Sequence, residues 1–131
     1  ARLALSPPFY GGYLSGYSIW APGTEVRTQA DNSTLLSPLM YKEFLMPCDE
    51  RIFDSFDYPL IHLHSGNLHI ADVLLEAEKL KAIQVSLDYP AGPSFEESFP
   101  IVFTNPLIFL NPVIRIIIIT KNSDIIDEDK T

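Results

Sequence analysis

Apolar positions between residues 39 and 53 recur three or four residues apart, the spacing of one face of an α-helix. Ser37 is placed to cap this helix because its hydroxyl can accept from a free backbone N–H, and Pro38 suits the first helical position. Pro47 lies inside the same pattern and has no N–H to donate to the preceding turn. The pattern therefore predicts a helix that starts after Ser37 and is kinked or divided at Pro47.

Two short apolar segments with strand character flank a second helical pattern. They are residues 58–65 and residues 82–87, and between them residues 68–80 return to helical spacing. A strand, a helix and a strand of these lengths form a βαβ unit, in which the two strands are parallel. Ser94 is then placed to cap a further short helix. We therefore predict an α/β fold with a parallel sheet.

The two ends of the chain differ from this central part. Residues 1–36 contain so many Gly, Pro and Ser residues that they predict loops and short extended pieces. Residues 101–131 are broken by prolines, contain a strong strand former at residues 113–119 and end in an acidic tail that we expect to be solvated. We interpret residues 1–131 as one partial domain: a loop-rich entry, a core over residues 37–100 and a strand-rich end.

Composition and charge narrow the classes of protein that fit. The chain has 131 residues, of which 47% are hydrophobic, enough for one packed core. A net charge of −8, with no basic stripe and no zinc-finger spacing, argues against nucleic acid and anionic membranes as partners. A single cysteine excludes an internal disulfide, so we expect a cytoplasmic protein with the Cys48 thiol buried. The chain starts without Met, and we expect a fragment or a processed chain.

Chemically versatile residues gather after the two predicted strands. In parallel α/β folds, catalytic groups collect at the carboxyl ends of strands, which here selects His62, His64 and Ser65 after the first strand and Asp88 after the second. Residues two apart in a strand share a face, so the two imidazoles lie about 6–7 Å apart along it. They can hold one metal ion or bind one anion from two sides. The alternatives are a structural buried histidine at His62 and a turn-forming aspartate at Asp88.

Several blocks of the chain resemble the uroporphyrinogen decarboxylase superfamily, which includes corrinoid-dependent methyltransferases. Residues 31–38, Asp-Asn-Ser-Thr-Leu-Leu-Ser-Pro, are similar to the family's Asp-Ser-x-x-Gly-x-Leu-Ser-Pro block with one residue fewer. Residues 39–47 resemble the helix ending in proline that follows it. Residues 58–66 resemble the methyltransferase strand Pro-x-x-x-His-x-Cys-Gly, and residues 82–88 resemble the next strand. The order and spacing of these blocks carry the resemblance.

The resemblance implies a TIM-type (β/α)8 barrel, which needs ~250 residues, so this chain would supply only its middle-to-late strands. In the methyltransferase branch, the His and Cys of the strand bind zinc, which activates a thiol to accept a methyl group from a corrinoid. His62 is matched to the His, and His64 stands for the Cys, each one residue nearer to Pro59 than in the family's strand. The family's third ligand is a later cysteine, so either Asp88 takes its place or that ligand lies outside this chain. In the decarboxylase branch, an Asp-Ser pair lies beside the tetrapyrrole, and Asp31 and Asn32 match that pair.

Three functional hypotheses follow. The first is methyl transfer to or from a small molecule, with zinc at the two histidines and a corrinoid as substrate or on a partner protein. The second is metal-free decarboxylation of a tetrapyrrole, and the third is an inactive truncated product that keeps half a barrel. We expect catalytic roles for Asp31 and Asp88 and substrate-binding roles for Asn32 and Ser65. A half barrel leaves sheet edges exposed, so we also expect self-association.

Overall fold

Short strands and short helices alternate through the middle of the chain, and further strands lie at its two ends. The structure is a computed structural model that describes residues 11–15, 19–88, 90–105, 108–110, 117–119 and 125–126. The strands, in chain order, are β1 (Tyr13–Ser15), β2 (Ile19–Ala21), β3 (Glu25–Gln29), β4 (Tyr58–His64), β5 (Ala82–Ser86), β6 (Ile108–Leu110), β7 (Ile117–Ile119) and β8 (Ile125–Ile126). The α-helices are α1 (Pro38–Met40), α2 (Met46–Phe53), α3 (Ala71–Leu75) and α4 (Phe95–Thr104), with 3-10 helices at Asp31–Leu35 and Ser65–Ile70.

One sheet contains β3, β4, β5 and β6, in that order, and each neighbouring pair is parallel. The predicted parallel α/β sheet is therefore confirmed, with β4 and β5 as the strands of the predicted βαβ unit. The strand β3 comes from the entry region, which the sequence pattern predicted as loops and short extended pieces. In the sheet, His62 of β4 lies between Gln29 of β3 on one side and Gln84 of β5 on the other.

A second sheet is built from the two ends of the chain. In it β2 pairs antiparallel with β1 and parallel with β7, and β7 pairs antiparallel with β8. The strand predicted at residues 113–119 is thus paired on both sides over Ile117–Ile119. Residues 113–116, and the acidic tail apart from β8, lie outside the described residues.

The parallel sheet separates two apolar layers. Because side chains alternate along a strand, one set from β4 and β5 packs against the helices and the other set faces the opposite way. The layer on the helical side includes Ile61, Leu63, Ile83 and Val85, whereas the smaller layer contains Ile19, Ala21, Tyr58, Leu60 and Ala82. By this alternation the two histidines of β4 lie on the face away from the helices.

The predicted helix after Ser37 is confirmed, including its division. The Ser37 hydroxyl accepts from the backbone N–H of Met40 at 3.2 Å, with Pro38 in the first turn. A π-helical turn, Tyr41–Leu45, then separates α1 from α2, and Pro47 lies in the first turn of α2, where its missing N–H is harmless. The prediction of a buried Cys48 was wrong, because the thiol is exposed. The buried residues of α2 include Met46, and a residue two positions further on points away from that face.

The connection between β4 and β5 is less helical than its spacing predicted. Instead of one helix over residues 68–80, a 3-10 helix leads into α3, which ends at Leu75. Leu74, Ala77 and Leu80 are nevertheless buried, so their spacing reflects packing on the sheet rather than continuous helix. The predicted cap at Ser94 is confirmed as a reciprocal capping box at the start of α4. Across the described residues, no helix combines the length and apolarity that crossing a membrane requires.

Candidate functional site

The carboxyl ends of three neighbouring strands bring four site residues to one edge of the sheet. Asp31 follows β3 by two residues, His64 ends β4, and Asp88 follows β5 by two residues. His62 lies one alternation earlier on β4, on the same face as His64. Because parallel neighbours end at the same edge, residues far apart in the chain become neighbours there. The residues selected from the sequence therefore lie together at this edge of the sheet, at the carboxyl ends of the strands.

Asp31, His62 and His64 converge on one point. Each offers one potential metal-ligand atom, and these three atoms all lie within 4.8 Å of one another. The two imidazole rings have centroids 4.9 Å apart and planes at 80°. The Nε2 atom of His64 is 3.6 Å from Oδ1 of Asp31. The two predicted metal ligands therefore come together, and Asp31, which the sequence predicted as a catalytic residue, joins them.

The Nδ1 atom of each histidine is hydrogen-bonded to a residue from the β5 region: Gln84 lies within the strand, and Asp88 follows it. The Nδ1 atom of His64 is 2.6 Å from Oδ2 of Asp88, and the Nδ1 atom of His62 is hydrogen-bonded to Oε1 of Gln84. A carboxylate oxygen can only accept, so Nδ1 of His64 donates to Asp88, and in a neutral ring the lone pair then lies on Nε2. Histidines that bind metals are commonly oriented in this way by an outer partner.

The position of Asp31 is set by an amide on each side of it. Gln29 donates from Nε2 to Oδ2 of Asp31 at 2.5 Å. The fully buried Asn67 donates from Nδ2 to the carbonyl oxygens of Ala30 and Asp31, at 3.1 and 3.2 Å, and to Oγ of Ser33 at 2.6 Å. The 3-10 helix that follows β4 thereby anchors the turn that follows β3. Asp31 is thus fixed by both its backbone and its carboxylate.

Exposure increases across the cluster from His62 outwards. His62 is 2% exposed, whereas the side chains of His64 and Asp31 are 40% and 46% exposed. Burial lowers the pKa of His62, and the charges of Arg27 and His64 lower it further, against the opposing effects of Gln84 and Asp31. His62 is therefore neutral near neutral pH, the protonation state that metal coordination requires.

Asp88 and its neighbours form the support of the site. The backbone N–H of Asp88 donates to Oγ of the buried Ser65 at 3.2 Å, and the Asp88 carbonyl accepts from Gly92 in a turn. Gly92 passes close to Ser65, since a Cβ at this position would lie 2.4 Å from the Ser65 hydroxyl oxygen. Asp88 therefore has both turn and site contacts. Asn32 is exposed beside Asp31, and the substrate-binding roles of Asn32 and Ser65 stay predictions.

Sequence reasoning missed the amides Gln29, Gln84 and Asn67. The signal for Gln84 is a lone amide in the otherwise apolar, buried segment from Ala82 to Val85. The role of this amide depends on the register between β4 and β5, which places Gln84 opposite His62. Gln29 gives no signal until β3 is recognised as the neighbour of β4, and Asn67 reads as an ordinary turn residue.

Comparisons of the chain with protein-family models, with curated proteins and with solved structures give no match. The resemblance to the uroporphyrinogen decarboxylase superfamily therefore stays a prediction from the residues. The described part of the chain itself establishes a mixed α/β fold with a parallel sheet, and a group of one carboxylate and two imidazoles that could hold a metal ion.

Proposed function

We propose that the chain holds a divalent metal ion, with zinc as the expected ion, at Asp31, His62 and His64. The observation that carries this proposal is the convergence of one carboxylate and two imidazoles within 4.8 Å at the carboxyl ends of parallel strands. Catalytic zinc sites typically use three such protein ligands and leave another position open. Two nitrogens and one oxygen also suit other first-row divalent ions, such as non-haem iron.

The surrounding residues fit a metal better than they fit a purely structural histidine pair. Both histidines have Nδ1 hydrogen-bonded, so Nε2 is the atom that each would offer to a metal ion, and the carboxylate of Asp31 would offset part of the charge of a divalent ion. The side chains of Asp31 and His64 remain 46% and 40% exposed, which leaves access for a substrate. Two histidines that only formed hydrogen bonds within the sheet would need neither the nearby carboxylate of Asp31 nor exposure to solvent.

Bound zinc supplies Lewis acidity, which lowers the pKa of a thiol or water that it coordinates. The roles of the chain's own residues follow from their contacts. Asp88 accepts from Nδ1 of His64, which fixes the ring and raises the basicity of Nε2. His62 forms the buried wall of the site, where water is excluded, and Asp31 lies on the side that a substrate would approach.

Among the reactions that a zinc centre can support, we propose methyl transfer of the type found in the corrinoid-dependent branch of the uroporphyrinogen decarboxylase superfamily. Strands that follow one another in the sheet in chain order are typical of a (β/α)8 barrel, and β3 to β6 would form part of one. The His-x-His end of β4 resembles the family's His-x-Cys. Asp31, rather than Asp88, is then the third ligand, because Asp88 contacts Nδ1 of His64. A corrinoid, free or on a partner protein, would carry the methyl group.

Metal binding by purified, chelator-treated protein tests the proposal. We expect about one equivalent of zinc or Co²⁺ to bind, and His62→Gln or His64→Gln to abolish binding. His69→Gln is the matched control, because His69 is exposed and its Nε2 is hydrogen-bonded to the carbonyl oxygen of Leu36, not to a residue of the cluster. Absence of binding by the wild type, or equal loss in the control, would overturn the metal centre.

The reaction is tested separately, with methylcobalamin and a set of thiol and hydroxyl acceptors. We expect the wild type to demethylate the corrinoid only when zinc is bound, and we expect His64→Gln to abolish this reaction. Zinc binding without any transfer would reject methyl transfer while leaving the metal centre in place. Tetrapyrrole binding that chelators do not change would instead favour metal-free decarboxylation.

A further inference from the structure

Gln84 lies in the middle of β5, directly opposite His62 in the parallel register. Its Oε1 is hydrogen-bonded to Nδ1 of His62. We propose that Gln84 is a positioning residue that fixes the tautomer of His62 with the proton on Nδ1 and the lone pair on Nε2. The inference rests on the proposed metal centre for its purpose, although the tautomer itself is a property of the metal-free protein.

The tautomer follows from which atoms face each other. An amide oxygen has lone pairs and no hydrogen, so the imidazole nitrogen that contacts it must carry the proton. A neutral imidazole has only one N–H, and in His62 that N–H faces Oε1 of Gln84. Nε2 of His62 is therefore left as an acceptor, which is the form that a metal ion can coordinate.

The remainder of the Gln84 side chain argues against a role in packing. Gln84 is fully buried, and its Nε2 has no hydrogen-bond partner among the residues that the structure describes. The neighbouring residues of β5, Ile83 and Val85, are apolar and belong to the helical-side core. An unpaired buried amide N–H lowers stability, so an apolar residue of similar size would suit the sheet better. The hydrogen bond to His62 is the contact that accounts for an amide here.

The residues that hydrogen-bond the two Nδ1 atoms differ in charge, in line with how deeply each histidine is buried. His64 is 40% exposed and is held by the Asp88 carboxylate, which is itself 34% exposed. His62 is buried and is held by a neutral amide. A carboxylate in place of Gln84 would bring a charge into the sheet interior, where desolvation is costly. The amide orients the buried imidazole without adding that charge.

Long-range ¹H–¹⁵N correlation NMR on metal-free protein near neutral pH reads the tautomer directly. In the wild type we expect His62 to carry its proton on Nδ1. Gln84→Met keeps the volume and removes the acceptor, and we expect a substantial population with the proton on Nε2. Ser86→Ala, on the same strand and the same face, is the matched control and should leave His62 unchanged.

Zinc affinity provides a second readout. We expect Gln84→Met to weaken zinc binding by about 10–100-fold, the usual effect of losing an outer partner of a metal ligand. A wild-type His62 with its proton on Nε2, or a Gln84→Met spectrum with an unchanged tautomer, would overturn the inference. If the tautomers are as expected but the wild type binds no metal, the metal centre fails while the effect of Gln84 on His62 stands.

Discussion

Replacing Asp31 by Asn removes one of the three proposed ligands and tests the metal centre through protein stability. A ligand that binds only the folded state at 100 times its Kd stabilises that state by about 2.7 kcal/mol. For a chain of 131 residues, that corresponds to a rise in Tm of about 10 °C. Asp31→Asn keeps the size of the side chain but removes its charge. Loss of a direct ligand should weaken zinc binding by at least about 100-fold, the upper end of the range for an outer partner.

At the same zinc concentration, the variant would then be near its Kd, where the stabilisation is only about 0.4 kcal/mol. The expected rise in Tm on adding zinc therefore falls from about 10 °C to about 2 °C. Without zinc, the two proteins should differ little, because the Asp31 side chain is 46% exposed and pairs with Gln29 at the surface. This separation of metal-dependent from metal-free stability distinguishes a ligand from a residue that supports the fold.

The assay is a thermal unfolding series in zinc, on protein first freed of metal by a chelator. Asp72→Asn is the control, because Asp72 is an exposed aspartate in the first turn of α3, away from the cluster. It should show the full zinc-dependent rise. A rise in Asp31→Asn as large as that of the wild type would refute Asp31 as a ligand. A large loss of stability of Asp31→Asn without zinc would show that the contacts of Asp31 support the fold, contrary to what its exposure predicts.

Three further predictions test other parts of the structure. The buried hydroxyl of Tyr41 donates to Asp49, and burial raises the Tyr41 pKa above 10.0. Wild-type stability should therefore fall as the pH rises past 10.0, and Tyr41→Phe should show a smaller fall in urea unfolding at about pH 8 and 10.5, since burial also raises the pKa of Tyr58. Ser94→Ala removes the acceptor for the Glu97 N–H and should cost about 1 kcal/mol in urea unfolding, so unchanged stability would contradict the capping role. Gly92→Ala places a methyl group 2.4 Å from the Ser65 hydroxyl oxygen. The loop must then shift, and zinc titration should show affinity about 10-fold weaker, whereas unchanged affinity would show that this packing does not support the site.

Local patterns were sufficient for several features of this protein. The strand β4 and the shared face of His62 and His64 follow from apolar runs and from the two-residue repeat of a strand, which depend only on neighbours in the chain. The caps at Ser37 and Ser94 were predictable for the same reason, because a cap binds a backbone N–H three residues away. The division of the first helix at Pro47 is likewise a local consequence of the missing N–H.

Other features depend on contacts between distant segments. The place of Asp31 beside the histidines depends on the pairing of β3 with β4, and the β3 pattern Glu-Val-Arg-Thr-Gln has too little apolar alternation to reveal a strand. The role of Gln84 depends on the register of β5, since one residue of slip would turn its side chain to the other face.

By itself, the sequence determined which residues could carry chemistry and that two of them share a strand face. Only the tertiary structure decided which carboxylate joins them: Asp31 reaches the cluster, whereas Asp88 reaches Nδ1 of His64. Both aspartates follow a strand by two residues, so the local pattern cannot distinguish them. The distinction comes from the order and register of three parallel strands, and these are set by the packing of the whole sheet.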